Sequence, residues 1–471
     1  MLGRLSALEL TDDAKEADVI IVNTCGFIHS AKQESVSEIL RVASERKKGA
    51  ILVVSGCLSE RYAKELESDM PEIDIIIGVR DYDKIDSLLE KKGFIFQQNQ
   101  RIPFADFTQK NLAKKIPQMT QNQNLSQQNS QKITTQKTSN QNLSSTIFSS
   151  NDKVFLSDEN SKRVISNSAI HAYIKLSEGC NQSCSFCAIP SFKGKLQSRS
   201  IASVLSEVEN LAKQGYKDFS FIAQDSSSYL LDFGVKDGLI SLIKALDSSG
   251  VAKSARIHYL YPTTTSHRLI ETIAKSAVVQ NYFDMPIQHI SDKMLRLMKR
   301  GMGKSKLKQM LNLMRSVPNA FLRSTIIVGH PCEGEREFCE LRDFIEEGIF
   351  DRLNLFAFSS EEGTYAHTMS EKIPTNVVNK RLNALNKILK SKDKTYYNAL
   401  KGSKIPIIIE GRAEVSPHFY SSRDIRWGLE IDGEILINDS AIEKLNIGYY
   451  EAKITEYKNG LLFGKILDTL H

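Results

Sequence analysis

Cysteine is scarce in this chain, with seven in 471 residues, and long apolar runs are missing. No stretch reaches eighteen consecutive apolar residues, which excludes a membrane-spanning helix of the usual kind. The amino terminus has no charged segment followed by an apolar one, so a secretory leader is not expected. So few thiols in so long a chain exclude the disulfide framework of small secreted proteins. A reduced, cytoplasmic protein is the expectation, with no membrane partner. A bulk excess of charge is missing too. The formal net charge is +6, but residues 109–150 hold five lysines (Lys110, Lys114, Lys115, Lys132, Lys137) and no acid, which leaves +1 for the rest. The folded parts lack the basicity that drives phosphate binding, so no direct nucleic-acid partner is expected.

What is present is the composition of a globular protein, 41% hydrophobic and 25% charged, in a chain too long for one ordinary core. Residues 1–98 alternate short apolar runs with helical stretches. Asp18–Asn23, Ile51–Val54 and Ile73–Ile77 read as buried strands, and Ser30–Arg46, Leu58–Ser68 and Tyr82–Lys91 as helices. That alternation implies a parallel α/β sheet. Residues 99–168 read as a low-complexity linker. From residue 109 onward Gln, Asn, Ser, Lys and Thr dominate, and such a stretch cannot bury enough surface to offset its ordering entropy. A disordered insert is expected there.

Residues 169–400 repeat the strand–helix alternation at greater length. Strands are expected at Ala172–Leu176, Asp218–Ile222, Arg256–Leu260, Tyr282–Met285, Phe321–Val328 and Arg352–Phe358. Six such units suggest a partial (β/α)6 barrel, an open relative of the eight-fold TIM barrel, with its chemistry at the carboxyl ends of the strands. Residues 401–471 hold short β-like runs at Lys404–Glu410, Gly428–Ile431, Glu434–Asn438, Gly448–Tyr457 and Leu461–Leu467. Gly, Asn and Asp turns break them, so a small five-stranded barrel of the OB type is expected.

The run Cys180-Asn-Gln-Ser-Cys184-Ser-Phe-Cys187 carries the most chemistry. A structural zinc site would need four N/S ligands, commonly as two separated pairs, and no second CxxC lies nearby. Three thiolates on one tight loop can instead hold three irons of a cubane 4Fe-4S cluster and leave the fourth iron open. The CxxxCxxC spacing, directly after the first barrel strand, resembles the radical S-adenosylmethionine (SAM) superfamily. In that superfamily the open iron chelates the amino and carboxylate groups of SAM, and the reduced cluster cleaves SAM to a deoxyadenosyl radical. Cys180, Cys184 and Cys187 are then the expected ligands.

Three more strands end in polar tips: Gln224-Asp225, Gln288-His289 and Gly329-His330. Aligned with the cluster loop at a barrel mouth, these tips point to SAM and substrate contacts through Gln224, Asp225, Gln288 and Gly329. His289 and His330 are read as hydrogen-bonded structural groups, since radical chemistry asks little of general acids and bases. No catalytic side chain is assigned. In residues 1–98, Cys25 and Cys57 each follow a strand and each sit beside a glycine. Neighbouring ends of parallel strands face one crevice, so both are expected to ligate a second cluster.

Together NTCGF, SGCLSERY, HAYIKLSEGCNQSCSFCAIP, IAQD, YFDMPIQHISD, IIVGHP and KIP resemble the radical SAM methylthiotransferases across nearly the whole chain outside the insert. The stretches SEGCNQSCSFCAIP, YFDMPIQHISD and FDRLNLFAFSSEEGT resemble the RimO type within that family. The resemblance implies two 4Fe-4S clusters, SAM, a carboxyl-terminal TRAM barrel, and external electron and sulfur donors. It implies as substrate an aspartate of the small-subunit ribosomal protein S-twelve, whose β-carbon loses hydrogen to the radical and gains sulfur from the auxiliary cluster. A second SAM supplies the methyl group. Two departures stand out. The family supplies a third amino-terminal cysteine from a strand that here would precede Met1, so a start upstream of Met1 is expected. Cys332 stands where family members usually have Gly; it and Cys339 are read as ordinary thiols.

Two other readings stay open, a tRNA (adenosine) methylthiotransferase and a ribosome-binding iron–sulfur protein without chemistry. Residues 401–471 hold nine basic and eleven acidic side chains, a net −2. A barrel that grips tRNA should be positive, whereas a slightly acidic one suits a basic ribosomal protein. Nucleic acid is then expected only through the ribosome.

Overall fold

A computed structural model describes residues 1–5, 9–11, 13–94, 101–103, 146–148, 153–165, 168–442 and 445–470. The chain divides into two compact units, Met1–Phe155 with Lys162–Val164, and Leu156–Ser161 with Ile165–His471.

The first unit contains β1 (Glu9–Thr11), β2 (Val19–Thr24), β3 (Ile51–Gly56), β4 (Ile75–Ile77), β5 (Arg101–Pro103) and β6 (Thr146–Phe148). A four-stranded parallel sheet runs β2-β3-β4-β6, and β1 pairs with β5. The unbroken Val/Ile/Leu runs make sense here because both faces of the sheet are covered. Successive side chains alternate between the faces. Ile20, Val22, Leu52 and Val54 pack against Ile39 and Val42 of the helix His29–Glu45. Val19, Val53, Ile75 and Ile77 pack against Ile85, Leu88 and Leu89 of the helix Ile85–Lys91. Each such side chain contributes about 1.5–3 kcal/mol on full burial, so Val53→Asp would break the sheet at its centre.

Composition assigns 99–168 to an insert, yet Arg101–Pro103 and Thr146–Phe148 pair as strands with β1 and β4. Each is three residues long, too short for a compositional window to register, although Thr-Ile-Phe favours strands. The centre of the expected insert, 104–145, lies outside the described residues.

The second unit holds β7 (His171–Lys175), β8 (Ser177–Glu178), β9 (Gln197–Ser198), β10 (Asp218–Ile222), β11 (Ser254–Ile257), β12 (Tyr282–Asp284), β13 (Phe321–Val328) and β14 (Arg352–Ala357). The expected six barrel strands are all present. They form two parallel sheets, β7-β10-β11 and β12-β13-β14. The Ala255–Val279 bridge and a bond from Leu260 N to Asp284 O (2.7 Å) join the two across β11 and β12. Helices between the strands, such as Ile201–Lys213 and Glu335–Glu347, bury Val204, Val208, Leu341 and Phe344 on the outside of this partial barrel.

The carboxyl-terminal segment closes a five-stranded barrel in the order β15 (Lys404–Arg412), β16 (Tyr420–Asp424), β17 (Ile435–Ser440), β19 (Leu461–Thr469), β18 (Gly448–Lys458). One expected strand is corrected. Gly428–Ile431 forms turns, with Glu430 at φ +66°, and the second strand is Tyr420–Asp424. The sequence Tyr-Ser-Ser-Arg-Asp looks like loop because its inward groups are polar. Ser422, Arg423 and Asp424 are nevertheless buried. Arg423 and the carbonyls of Ile425 and Arg426 meet Asp218 and Arg256, near the amino ends of β10 and β11. The small barrel therefore covers the amino end of the partial barrel and leaves the carboxyl ends of its strands for chemistry.

Candidate functional site

The three-cysteine loop begins where β7 gives way to β8, and the antiparallel pair of β8 with β9 gathers its two ends. Gly179 sits at φ +76°, and a Cβ there would lie 2.1 Å from the Lys195 carbonyl oxygen. That close crossing accounts for the glycine; an approach to the cluster is not needed to explain it. Cys180 N donates to Gly194 O (3.1 Å), and Cys187 N donates to Cys184 O (3.2 Å). Ser185 is held from three sides. Its N donates to Met298 O (3.1 Å), its O accepts from Ala366 N (2.8 Å), and its hydroxyl lies 3.3 Å from His330 Nε2.

None of the seven cysteines forms a disulfide. Burial pushes the Cys180 thiol up to about 11 and the Cys187 thiol up to about 12, so both carry protons at neutral pH that iron would displace. Cys184 has different company. The Arg300 guanidinium donates to its sulfur at 3.1 Å, and the Tyr261 hydroxyl lies 3.5 Å from it. Among the described residues no three His, Cys, Asp or Glu side chains converge as on a single metal ion. A cubane does not require that, because each thiolate binds a different iron. Three partly buried thiols on one loop, one of them facing a cation, fit an anionic iron–sulfur cluster.

The polar tips divide into two kinds. Asp225 is buried and fully engaged, accepting from Gln182 Nε2 (2.8 Å), Ser227 Oγ (2.7 Å) and Ser228 N (3.1 Å). It ties the cluster loop to the end of β10. Gly329, at φ +84°, gives its N–H to Glu333 Oε2 (2.9 Å), and a Cβ there would lie 2.4 Å from Val378 Cγ2. Those two positions are accounted for by the fold. Gln224 and Gln288 differ. Gln224 Nε2 donates to Glu178 Oε2 (3.0 Å), while the Oε1 atoms of both glutamines are buried without a hydrogen-bond partner among the described residues. Burial works against the charge of Glu178, but the Lys175 and Lys193 ammonium groups hold its carboxyl below the usual range. Gln288 also takes φ +70°, unusual for a residue with a side chain, while its backbone pairs with Thr325 O and Ile327 N. Buried acceptors left open at strand ends are what a polar cofactor would satisfy.

His289 and His330 are both fully buried. Burial drives His289 down to about 3, and its Nδ1 accepts from Ile290 N (2.9 Å) and Ser291 N (3.0 Å). Burial lowers His330 as well. Ser185, Tyr261 and Arg300 escaped the sequence reading, since no local pattern links Arg300 to a cysteine 116 positions away.

In the first unit, Thr24 of β2 is paired in register with Gly56 of β3, and Cys25 and Cys57 are the residues that follow. The two loops touch, because a Cβ on Gly26 would meet the Cys57 carbonyl at 2.9 Å. Cys25 N donates to Ser35 Oγ (3.0 Å), and Cys57 opens the helix Cys57–Arg61.

Residues 1–78 match the model of the uncharacterized protein family UPF0004, and residues 174–345 match that of the radical SAM superfamily. A ribosomal protein uS12 methylthiotransferase RimO from Helicobacter hepaticus is 50% identical over 100% of this chain and 94% of its own length. A protein of the same name from Wolinella succinogenes is 51% identical over 97% of this chain and 92% of its length. The chain belongs to the RimO methylthiotransferase family. A solved radical S-adenosylmethionine methyltransferase, TsrM, from Kitasatospora setae aligns with a TM-score of 0.43 at 15% identity, over 72% of this chain and 64% of that one. The RimO relatives are named for ribosomal protein uS12. Among the described residues no helix is long and apolar enough to cross a membrane.

Proposed function

We propose that this chain is a radical SAM methylthiotransferase that adds a methylthio group to the β-carbon of an aspartate in ribosomal protein uS12. Identity of about half with RimO relatives, over nearly the full length of both chains, supports the reaction and its substrate. The observation that carries the reading is the loop with three thiols, Cys180, Cys184 and Cys187, at the carboxyl end of the first strand of a partial barrel.

Those three cysteines would hold the SAM-binding cluster, and Cys25 and Cys57 would hold part of an auxiliary one. Bound there, iron–sulfur clusters and SAM supply the radical and the sulfur chemistry. The chain's own work is placement. Asp225 and Ser185 fix the cluster loop to the barrel. Gln224 and Gln288 offer buried carbonyl oxygens to a polar cofactor. The carboxyl-terminal barrel packs on the opposite end through Arg423 and Asp218, which leaves the loop side for ligands. Its sequence charge of −2 suits a basic ribosomal protein better than tRNA. A one-electron donor and a sulfur donor complete the partners, and the cytoplasm is the compartment that suits them.

The test is Cys184→Ala, reconstituted anaerobically beside the parent protein. The variant should keep its fold and lose deoxyadenosine production, and uS12 incubated with it should keep its original mass. Undiminished deoxyadenosine from the variant would end the radical SAM reading, and modification of tRNA in place of uS12 would end the substrate assignment.

A further inference from the structure

Arg300 is built into place before any cofactor arrives. It is only 4% exposed. Its guanidinium carbon lies 4.1 Å from the centre of the Tyr261 ring, and Nη2 donates to the Pro286 carbonyl. Both chain neighbours adopt left-handed backbone, Lys299 at φ +54° and Gly301 at φ +71°. A lysine in that region is unusual, and such conformations persist where the surrounding fold dictates them. Tyr261 is fixed in turn. Its N donates to Ser227 Oγ (2.9 Å), while its hydroxyl faces both Lys299 O (3.4 Å) and Cys184 Sγ. The result of this scaffolding is one contact, Arg300 Nη1 to Cys184 Sγ at 3.1 Å. Arg300 Nε is buried with no acceptor among the described residues.

We propose that Arg300 is a positioning residue for the Cys184 ligand, and that its N–H···S hydrogen bond raises the reduction potential of the cluster held by Cys180, Cys184 and Cys187. One-electron reduction adds a negative charge to such a cluster. A guanidinium against one ligand sulfur favours the more negative state, and sulfur hydrogen bonds and local charge are established levers on these potentials. Shielding from solvent strengthens the effect. The stack on Tyr261 makes the contact specific to arginine, because the planar cation can cover a ring and donate in its own plane at once. The inference rests on the cluster assignment made above, and the experiment separates the two.

The full chain carrying Cys25→Ala and Cys57→Ala, which leaves one cluster to observe, is reconstituted anaerobically as such and with Arg300→Gln or Arg300→Lys. The midpoint potential is read by EPR-monitored titration without SAM. Arg300→Gln should cut the ratio of reduced to oxidised cluster at a given potential about tenfold, a downward shift of about 59 mV for a one-electron couple. Arg300→Lys keeps the charge and should shift less. An unmoved potential in Arg300→Gln, or equal shifts in both variants, overturns the proposal, even if SAM affinity falls. If Arg300→Gln does not load, ¹⁵N-arginine-labelled parent protein decides. Its reduced cluster should show a ¹⁵N coupling in pulsed EPR, and absence of that coupling overturns the proposal. A parent protein that never binds a cubane responsive to SAM would instead defeat the cluster assignment itself.

Discussion

The Arg423 guanidinium reaches the Asp218 carboxylate at 2.5 Å, from the second strand of the small barrel to the first residue of β10. Arg256 grips the same carboxylate at 2.8 and 2.9 Å, and all three side chains are buried. Burial alone would raise the Asp218 carboxyl, but Arg256 and Arg423 hold it far below the usual carboxylate range. Removing one partner of a buried pair leaves an uncompensated charge, at a cost of about 3–5 kcal/mol. Arg423→Met and Asp218→Asn should each lose stability on that scale in urea unfolding at pH 7. A depressed folded-state value stabilises above the unfolded value and is lost as pH falls through the acid range. The gap between parent and Asp218→Asn should therefore narrow below about pH 4.

Cys332 sits at φ +68°, with its N bonded to Glu371 O at 2.9 Å. Left-handed backbone costs a residue with a Cβ about 1–2 kcal/mol, and glycine escapes that cost. Cys332→Gly should raise stability by about 1 kcal/mol, against its larger unfolded-state entropy. Cys332→Ala keeps the Cβ and should show no gain. Thermal or urea melts of the two variants side by side provide the measurement. Equal melts would show that the backbone, not the residue, sets the strain.

Much of this architecture was legible because burial repeats locally. Barrel strands repeat apolar residues at alternate positions, as at Ala172 and Ile174, Phe219 and Phe221, and Ala255 and Ile257, and Cys180, Cys184 and Cys187 fall within eight positions. Register also made Cys25 and Cys57 readable as a pair, since parallel strands carry like positions to like ends. Tyr420–Asp424 was not legible. Its strand buries Ser422, Arg423 and Asp424, whose partners include Asp218, 205 positions before Arg423. The Arg300–Cys184 contact was hidden for the same reason, because its sequence neighbours carry no trace of the sulfur. Asp225 and Gly329 were visible as polar or flexible tips, but their sequence neighbours do not reveal how fully internal bonds and Val378 occupy them.

Two buried histidines should set the acid limit of the fold. Burial is the main cause that takes His171 and His289 each down to about 3, well under the ordinary histidine value. Both are neutral in the folded chain, and the unfolded chain binds their protons first as pH drops. Stability is thus whole above about pH 6.5 and declines from there toward pH 3, by about 1.4 kcal/mol per pH unit for each histidine. In His289→Asn the side-chain oxygen can still accept from Ile290 N and Ser291 N. Its unfolding free energy should fall between pH 6 and pH 4 with a slope one proton smaller than the parent's. Identical slopes would mean that His289 titrates normally.

Cys25 and Cys57 follow residues paired in register, while Cys180, Cys184 and Cys187, proposed above as ligands of the SAM-binding cluster, belong to the other compact unit. The two sets of thiols should therefore fail independently. Cys25→Ala or Cys57→Ala should remove the auxiliary cluster's iron and leave the iron at Cys180, Cys184 and Cys187. Deoxyadenosine should still form, because cleavage of SAM needs only the second set. Methylthiolated uS12 should not, because the sulfur has lost its holder. Iron and sulfide analysis, deoxyadenosine assay and mass spectrometry of uS12 on the same preparations check all three outcomes. Product formation at the parent's rate by either variant would free both cysteines of a role in sulfur transfer. Loss of deoxyadenosine along with the product would show instead that the two sites depend on one another, because SAM cleavage would then require a thiol from the first unit.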